Sequence, residues 1–297
     1  MSSDSDDREG GGGLARAYAH HPRHWRSFRV VYPVISRRAG GLSVGVNLTP
    51  EGACNFDCTY CSVDREKVKD QAPVDLDELH AELSVMLGLV TSGALWSDPD
   101  FAEVPAGHRV LHDVAFSGDG EPTASPLFEA AVEMVLELHE QYRLGLAKVV
   151  VITNGTLLHR ASVKRAVELL GDRGEVWAKL DAGTEAYYQR VDRSAVPLER
   201  VLENLVGVSR RRAVTIQTML LKDVGGPMPD REFLAYLDRL RMVVDRGGVI
   251  ERVQLYTVAR DCREPDVEAL SLAELEMRAG QVREVLPGLE VLVYPRV

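Results

Sequence analysis

Between Ser43 and Tyr294 the chain alternates two hydrophobic periods, and this alternation constrains its fold more than any other feature. Short β-branched runs each read as one strand: SVGVNL from Ser43, DVAFSG from Asp113, KVVVIT from Lys148, VWAKLD from Val176, VTIQTM from Val214, RVQLYT from Arg252 and EVLVY from Glu290. Between them lie segments of helical period: DLDELHAELSVMLGLV from Asp75, LFEAAVEMVLELHEQY from Leu127, ASVKRAVELLG from Ala161, LERVLENLVGV from Leu198, DREFLAYLDRLRMVV from Asp230 and LAELEMRAGQVREVL from Leu272. Parallel strands cannot be joined by a tight turn, so strand then helix, repeated, predicts a parallel sheet with helical crossovers.

Such a sheet lies open or curls into a barrel, and polar residues within the strands help to choose. Alternate side chains of a strand share a face. Asn47, Ser117, Lys179 with Asp181, Gln217, and Gln254 with Tyr256 fall on one face near the C-terminal strand ends. Their apolar neighbours, among them Val46, Phe116, Ala178, Ile216 and Leu255, would then face the helices. Polar groups converging from several strands point to a site in a barrel mouth. The other reading is strand-end polar groups reaching solvent, or a doubly wound open sheet, although no G-x-G-x-x-G follows the first strand.

With 297 residues, 45% of them hydrophobic, the chain can bury a full core. Residues 1–13, MSSDSDDREGGGG, read as a disordered acidic, glycine-rich tail, and 14–297 as a single domain. The most apolar run, LSVMLGLVTSGALW from Leu83, is short for a membrane span and is broken by Gly88 and Gly93. The acidic start lacks the basic and apolar pattern of a secretory signal, so a cytoplasmic location is expected. A net charge of −10 disfavours a phosphate backbone. The basic stretches HHPRHWRSFR from His20, Ser36-Arg37-Arg38 and Arg210-Arg211-Arg212 soften this, reading as solvated faces or RNA contacts.

In a reducing compartment, four cysteines mean metal binding or reactivity more readily than disulfides. Three of them, Cys54, Cys58 and Cys61, stand within CNFDCTYC, directly after the first expected strand. Three thiolates can hold three irons of a cubane cluster and leave the fourth iron open, much as catalytic metal sites keep a free position. A zinc site would need a fourth ligand from Cys262, His80 or His112, none at a usual spacing, and would make the loop a non-catalytic metal module. An electron-carrying ferredoxin would bring a fourth local cysteine.

CNFDCTYC resembles the C-x3-C-x-aromatic-C signature of the radical S-adenosylmethionine (SAM) superfamily, with Tyr60 at the aromatic position. SGDGEPT, from Ser117, is similar to that superfamily's Gly-Gly-Glu-Pro element, and ITNG from Ile152 and KLD from Lys179 resemble the ends of its third and fourth strands. The tract LSVGVNLTPEGACNFDCTYC, with SGDGEPT, KLDAGT and QLYTVAR, looks most like the group containing the wyosine-type tRNA base synthases and their bacterial relatives.

This resemblance implies a partial (β/α)6 TIM-type barrel of the radical SAM type, with room for a seventh strand. It implies a [4Fe-4S] cluster on Cys54, Cys58 and Cys61, whose open iron takes SAM, and a 5'-deoxyadenosyl radical that abstracts hydrogen from a small molecule, nucleoside or RNA base. The backbone of Ser117, Gly118 and Gly120 and the carboxylate of Glu121 would hold the methionine amino group. Lys179 and Asp181 would meet the ribose and carboxylate, and Tyr60, Asn154, Gln217 and Tyr256 would complete the cofactor site, with Phe56 walling it. A flavodoxin or ferredoxin would supply electrons. Wyosine-type synthases that build a tricyclic base carry further cysteines for a second cluster, whereas this chain has only Cys262 left, so the resemblance does not by itself imply their pyruvate chemistry or their tRNA substrate. Cys262, in ARDCREPD, is a candidate for hydrogen-atom delivery or substrate contact, or a bystander.

Overall fold

The computed structural model describes Leu14, Ala17, Tyr18 and residues 25–63, 72–260 and 262–296. The expected tail and the start of the basic stretch at His20 lie outside the described residues. The strands are β1 (Val31–Ser36), β2 (Gly41–Val46), β3 (Leu111–Phe116), β4 (Lys148–Thr153), β5 (Gly174–Lys179), β6 (Val214–Met219), β7 (Leu221–Asp223), β8 (Gly226–Pro227), β9 (Ile250–Tyr256), β10 (Glu268–Ala269) and β11 (Glu290–Tyr294). The helices are α1 (Leu76–Ser92), α2 (Phe128–Gln141), α3 (Ala161–Leu169), α4 (Glu185–Val191), α5 (Leu198–Ser209), α6 (Asp230–Asp245) and α7 (Leu272–Val285).

One sheet runs in the order β1-β2-β3-β4-β5-β6-β9-β11, parallel throughout except for β1, which pairs antiparallel with β2. Every strand expected from the sequence is present, and the seventh takes its place at the edge. The sheet curls into a partial barrel. Its two edges approach through side chains: Tyr294 Oη donates to Arg38 O at 3.3 Å, and the Arg37 guanidinium donates to Pro295 O.

Helix α1 shows why the most apolar run is no membrane span. Asp75 caps its start by accepting from Asp77 N at 2.9 Å, and Gly93, with φ 78°, ends it in the left-handed conformation that glycine adopts most easily. No described helix is long and apolar enough to cross a membrane. Strand β1 was not among the expected strands: its Pro33 offers no N–H to a ladder and is tolerated because the strand lies on the sheet edge.

Most of the core lies between sheet and helices. Val44, Val46, Phe116, Val151, Val176, Ile216 and Leu255 point outward from the strands onto residues such as Leu79, Leu83, Val135 and Val201. Burying each such side chain contributes about 1.5–3 kcal/mol. A small second cluster, Ala115, Val150 and Trp177 with Ile152 against it, sits on the opposite, inner face. The strands are therefore two-sided, as the period-2 reading required.

Candidate active site

A cavity of about 270 Å³ opens at the C-terminal ends of the strands and runs into the barrel. Cys54, Cys58 and Cys61 all line it, and none of them is in a disulfide. The cysteine loop is clamped by three later strand ends. Asp57 N and Thr59 N each donate at 2.9 Å to the carbonyls of Asp192 and Val191, at the end of α4. After β4, Thr156 Oγ1 accepts from Asn55 Nδ2 at 2.7 Å. After β9, the Arg263 guanidinium grips the Asp57 carboxylate at 2.7 and 3.1 Å, while Arg263 N donates to Cys61 O at 2.9 Å.

Cys58 is buried, with Sγ 3.6 Å from Asp192 Oδ1. Burial pushes its thiol well up, against the opposing pull of Lys179, so a compensating cation is needed to hold it as thiolate. Among the described residues no three His, Cys, Asp or Glu side chains are grouped so as to hold one metal ion. A cubane places its thiolates on different irons, so three thiols spread around one cavity fit it, whereas a zinc ion needs every thiolate within about 2.3 Å of one centre. The candidate fourth zinc ligands do not help: His80 and His112 are exposed, and Cys262 lines an adjoining cavity of about 100 Å³.

The SGDGEPT loop lies against both β2 and the cysteine loop, and its glycines make this possible. A Cβ on Gly118 would stand 2.2 Å from Asn47 Oδ1, and one on Gly120 would stand 2.1 Å from Ala53 O and 2.7 Å from Thr49 Oγ1. Glu121 N donates to the same Ala53 carbonyl at 2.9 Å. The buried Glu121 carboxylate accepts from Asn154 N at 2.8 Å, Thr153 Oγ1 at 2.6 Å, Thr123 Oγ1 at 2.5 Å and Thr123 N at 3.2 Å. Burial pushes this carboxyl up and the hydrogen bonds, led by Asn154, pull it back. Glu121 thus ties the loop after β3 to the end of β4. Gly120→Ala is expected to cost about 1–3 kcal/mol in chemical denaturation, because a backbone carbonyl cannot yield as a flexible side chain would. A wild-type denaturation curve would refute that account.

Lys179 Nζ donates to Tyr60 Oη at 2.6 Å and stands 3.8 Å from Asp181 Oδ2. Tyr60 Oη in turn donates to the Asp181 carboxylate, whose other oxygen accepts from Met219 N at 2.7 Å. Burial opposes the charge on Lys179, but Tyr256 and Asp181 outweigh it and hold the ammonium well above its ordinary range. Tyr60 is pushed up by burial and then by Asp181. Gln217 Nε2 donates to Gln254 Oε1 at 2.7 Å, and Gln217 Oε1 and Gln254 Nε2 are buried without a partner among the described residues.

Of the cofactor residues expected from the sequence, Tyr60, Ser117, Gly118, Gly120, Glu121, Asn154, Lys179, Gln217 and Tyr256 line the cavity together with the three cysteines. Asp181 does not; it stands behind Tyr60 and Lys179. Asn47 is an organiser of the loop junction, bonding Asp119 Oδ2 at 2.7 Å and accepting from Thr49 N at 3.2 Å. The arginine run after α5 is engaged with the fold: Arg210 with Arg246 O at 2.6 Å, Arg211 with Glu168 at 3.0 Å and Arg212 with Gly174 O at 3.0 Å. Asp192 and the deeper pair Ser43 and Asp113 were not singled out from the sequence, nor was the grip of Arg263 on Asp57. Asp113 was legible in DVAFSG, four residues before Ser117 and so on the same strand face.

The family model for the radical SAM superfamily matches residues 49–240, more than half of the chain. The chain belongs to the radical SAM superfamily. It is 29% identical over 203 residues to neomycin C epimerase of Streptomyces fradiae, covering 68% of this chain and 52% of that protein. It is 24% identical over 255 residues to a protein named GTPase Obg of Brachyspira hyodysenteriae, covering 84% of this chain and 32% of that protein. The chain thus spans only about a third to a half of these curated relatives. Among solved structures, TYW1 with a lysine-pyruvate adduct bound superposes with a TM-score of 0.53 at 17% identity, covering 83% of this chain and 74% of that one. That likeness concerns the fold. As a radical SAM protein the chain is an enzyme, and the partial barrel expected from its sequence is the fold that it has.

Proposed function

We propose that Cys54, Cys58 and Cys61 hold a [4Fe-4S] cluster and that the enzyme uses SAM to abstract a hydrogen atom from a small molecule or nucleoside. The observation that carries this reading is the meeting of three cysteine thiols, none in a disulfide, and the glycine-bearing SGDGEPT loop at one cavity. When bound, cluster and SAM supply reductive cleavage of the sulfonium bond and a deoxyadenosyl radical. The chain's own task is binding, orientation and exclusion of water. The backbone from Ser117 to Gly120 receives the methionine amino group, and Glu121 keeps that loop on β4. Lys179, charged and cavity-facing, receives the carboxylate. Asp181 acts indirectly, by orienting Tyr60 and Lys179. Gln217, with its buried amide oxygen unpartnered, Asn154 and Tyr256 complete the cofactor wall, while buried Phe56 and Tyr60 keep water from it.

A flavodoxin or ferredoxin would donate the electrons, and a cytoplasmic location follows from that partner. RNA remains the less favoured substrate, since the net charge is −10. Anaerobic reconstitution with iron, sulfide, SAM and dithionite is expected to give a brown protein that releases 5'-deoxyadenosine and methionine in equal amounts. One tightly held zinc without sulfide, or a cluster that SAM does not perturb, would instead make the loop a non-catalytic metal module.

A further inference from the structure

Below the level of Ser117 the cavity continues past apolar Ala115 and Trp177 to a second polar group set that the cofactor reading does not use. Asp113 lies on the inner face of β3, two inward positions before Ser117 and therefore about 13 Å further along the strand. It is 3% exposed, and among the described residues its one hydrogen-bonding side chain is Ser43, the residue opposite it on β2, whose hydroxyl donates to Asp113 Oδ1. A buried carboxylate with a single neutral donor is costly to keep ionised.

Arg38, in the turn between β1 and β2, also lines this cavity. Its guanidinium lies 5.0 Å over the Tyr256 ring and within electrostatic reach of Asp113, yet among the described residues it has no hydrogen bond or ion pair. It borders both the main cavity and the adjoining one of about 100 Å³. The neighbouring Arg37 differs, being held by Pro295 O. The other charged group facing Asp113 is Glu175 of β5, which is already engaged with Trp177 Nε1 at 2.8 Å and lies 3.7 Å from Arg252.

We propose that Asp113 and Arg38 form the substrate-specificity pair, Asp113 with Ser43 taking an amine of a small dipolar substrate and Arg38 taking its carboxylate or phosphate. This rests on the proposed cofactor site only for its orientation: the cluster end of the cavity is the reacting end, Asp113 anchors the remote part of the substrate, and Arg38, over the Tyr256 ring, takes the charge nearer the cofactor wall. An acid and a base that face one cavity without pairing to each other present complementary charges to a ligand that carries both. Charge-assisted bonds at such a site are the strong ones. A cavity of about 270 Å³ limits the ligand to a small molecule.

Titration of the full chain, with and without reconstituted iron and sulfide, tests the pair through binding alone. The probes are glycine, γ-aminobutyrate and 6-aminohexanoate, which vary the charge separation, and O-phosphoethanolamine, which replaces carboxylate by phosphate. Butylamine and butyrate are the singly charged controls. At least one dipolar probe is expected to bind about tenfold or more tightly than either control, and Asp113→Asn and Arg38→Gln are each expected to remove that advantage. The better of the carboxylate and phosphate arms identifies the anionic group. Equal binding of dipolar and singly charged probes overturns the proposal. So does wild-type affinity in both variants, or a thermal double-mutant cycle in which the two residues couple strongly without any effect on binding. Deoxyadenosine release by the wild-type protein is read separately: its absence refutes the cofactor reading and leaves the binding result standing.

Discussion

Replacing Cys58 by alanine is expected to reduce deoxyadenosine formation to background and to strip the protein of its iron and sulfide, while the fold stays intact. Two remaining thiolates, Cys54 and Cys61, cannot hold three corners of a cubane. The cost to folding is small by comparison. The Cys58 thiol lies 3.6 Å from Asp192, a weak contact, and the loop around it is held by backbone bonds from Asp57 and Thr59 that the substitution leaves alone. Trimming one buried sulfur costs about 1–2 kcal/mol. Cys262→Ala is the matched control: its Sγ lies 3.6 Å from Arg260 O beside the adjoining cavity, so iron content should not change. Circular dichroism, iron and sulfide analysis and the deoxyadenosine assay separate the outcomes. Global unfolding of the Cys58 variant would make the thiol structural and sink the catalytic account.

The parallel strands and the long helices were legible because each carries a strong period of its own. Strand β1 was hidden by Pro33 and by its antiparallel pairing, which is set through the turn at Gly40. Helix α4, Glu185–Val191, is too short to show a period, and the small sheet of β7, β8 and β10 is made of strands of two or three residues. In the site, the residues proposed as ligands announced themselves by local spacing, but their supports did not. Arg263 meets Asp57 across 206 residues, and Asp192 lies 134 residues from Cys58. Nothing in either local sequence marks such a partner. Asp181 does lie beside Lys179, as period-2 reasoning placed it, but the chain turns after β5 so that its carboxylate bonds Met219 N and Tyr60 behind the cavity wall.

Asp113→Asn is expected to stabilise the protein by up to about 4 kcal/mol at pH 8 and to leave its stability nearly unchanged at pH 4. Burial pushes this carboxyl up to about 7; the Ser43 hydrogen bond and Arg38 oppose the rise and Glu175 adds to it. An unfolded aspartate titrates near 3.9, so the folded form binds the extra proton between about pH 4 and 7. Below that window both states are protonated and the side chain has no electrostatic cost. Through it, wild-type stability falls as pH rises, and above it the whole penalty is present. Three pH units at 1.36 kcal/mol each give the upper figure, reduced by about 1 kcal/mol or more where the new amide N–H finds no acceptor. Chemical denaturation at pH 5, 6, 7 and 8 should show the gap between variant and wild type widening with each step. A gap independent of pH would mean that Asp113 is ionised in the fold at ordinary cost. The stabilised variant would locate the reason for the residue outside folding: a carboxylate that the fold holds at a loss, on the wall of an open cavity, is kept for what it binds.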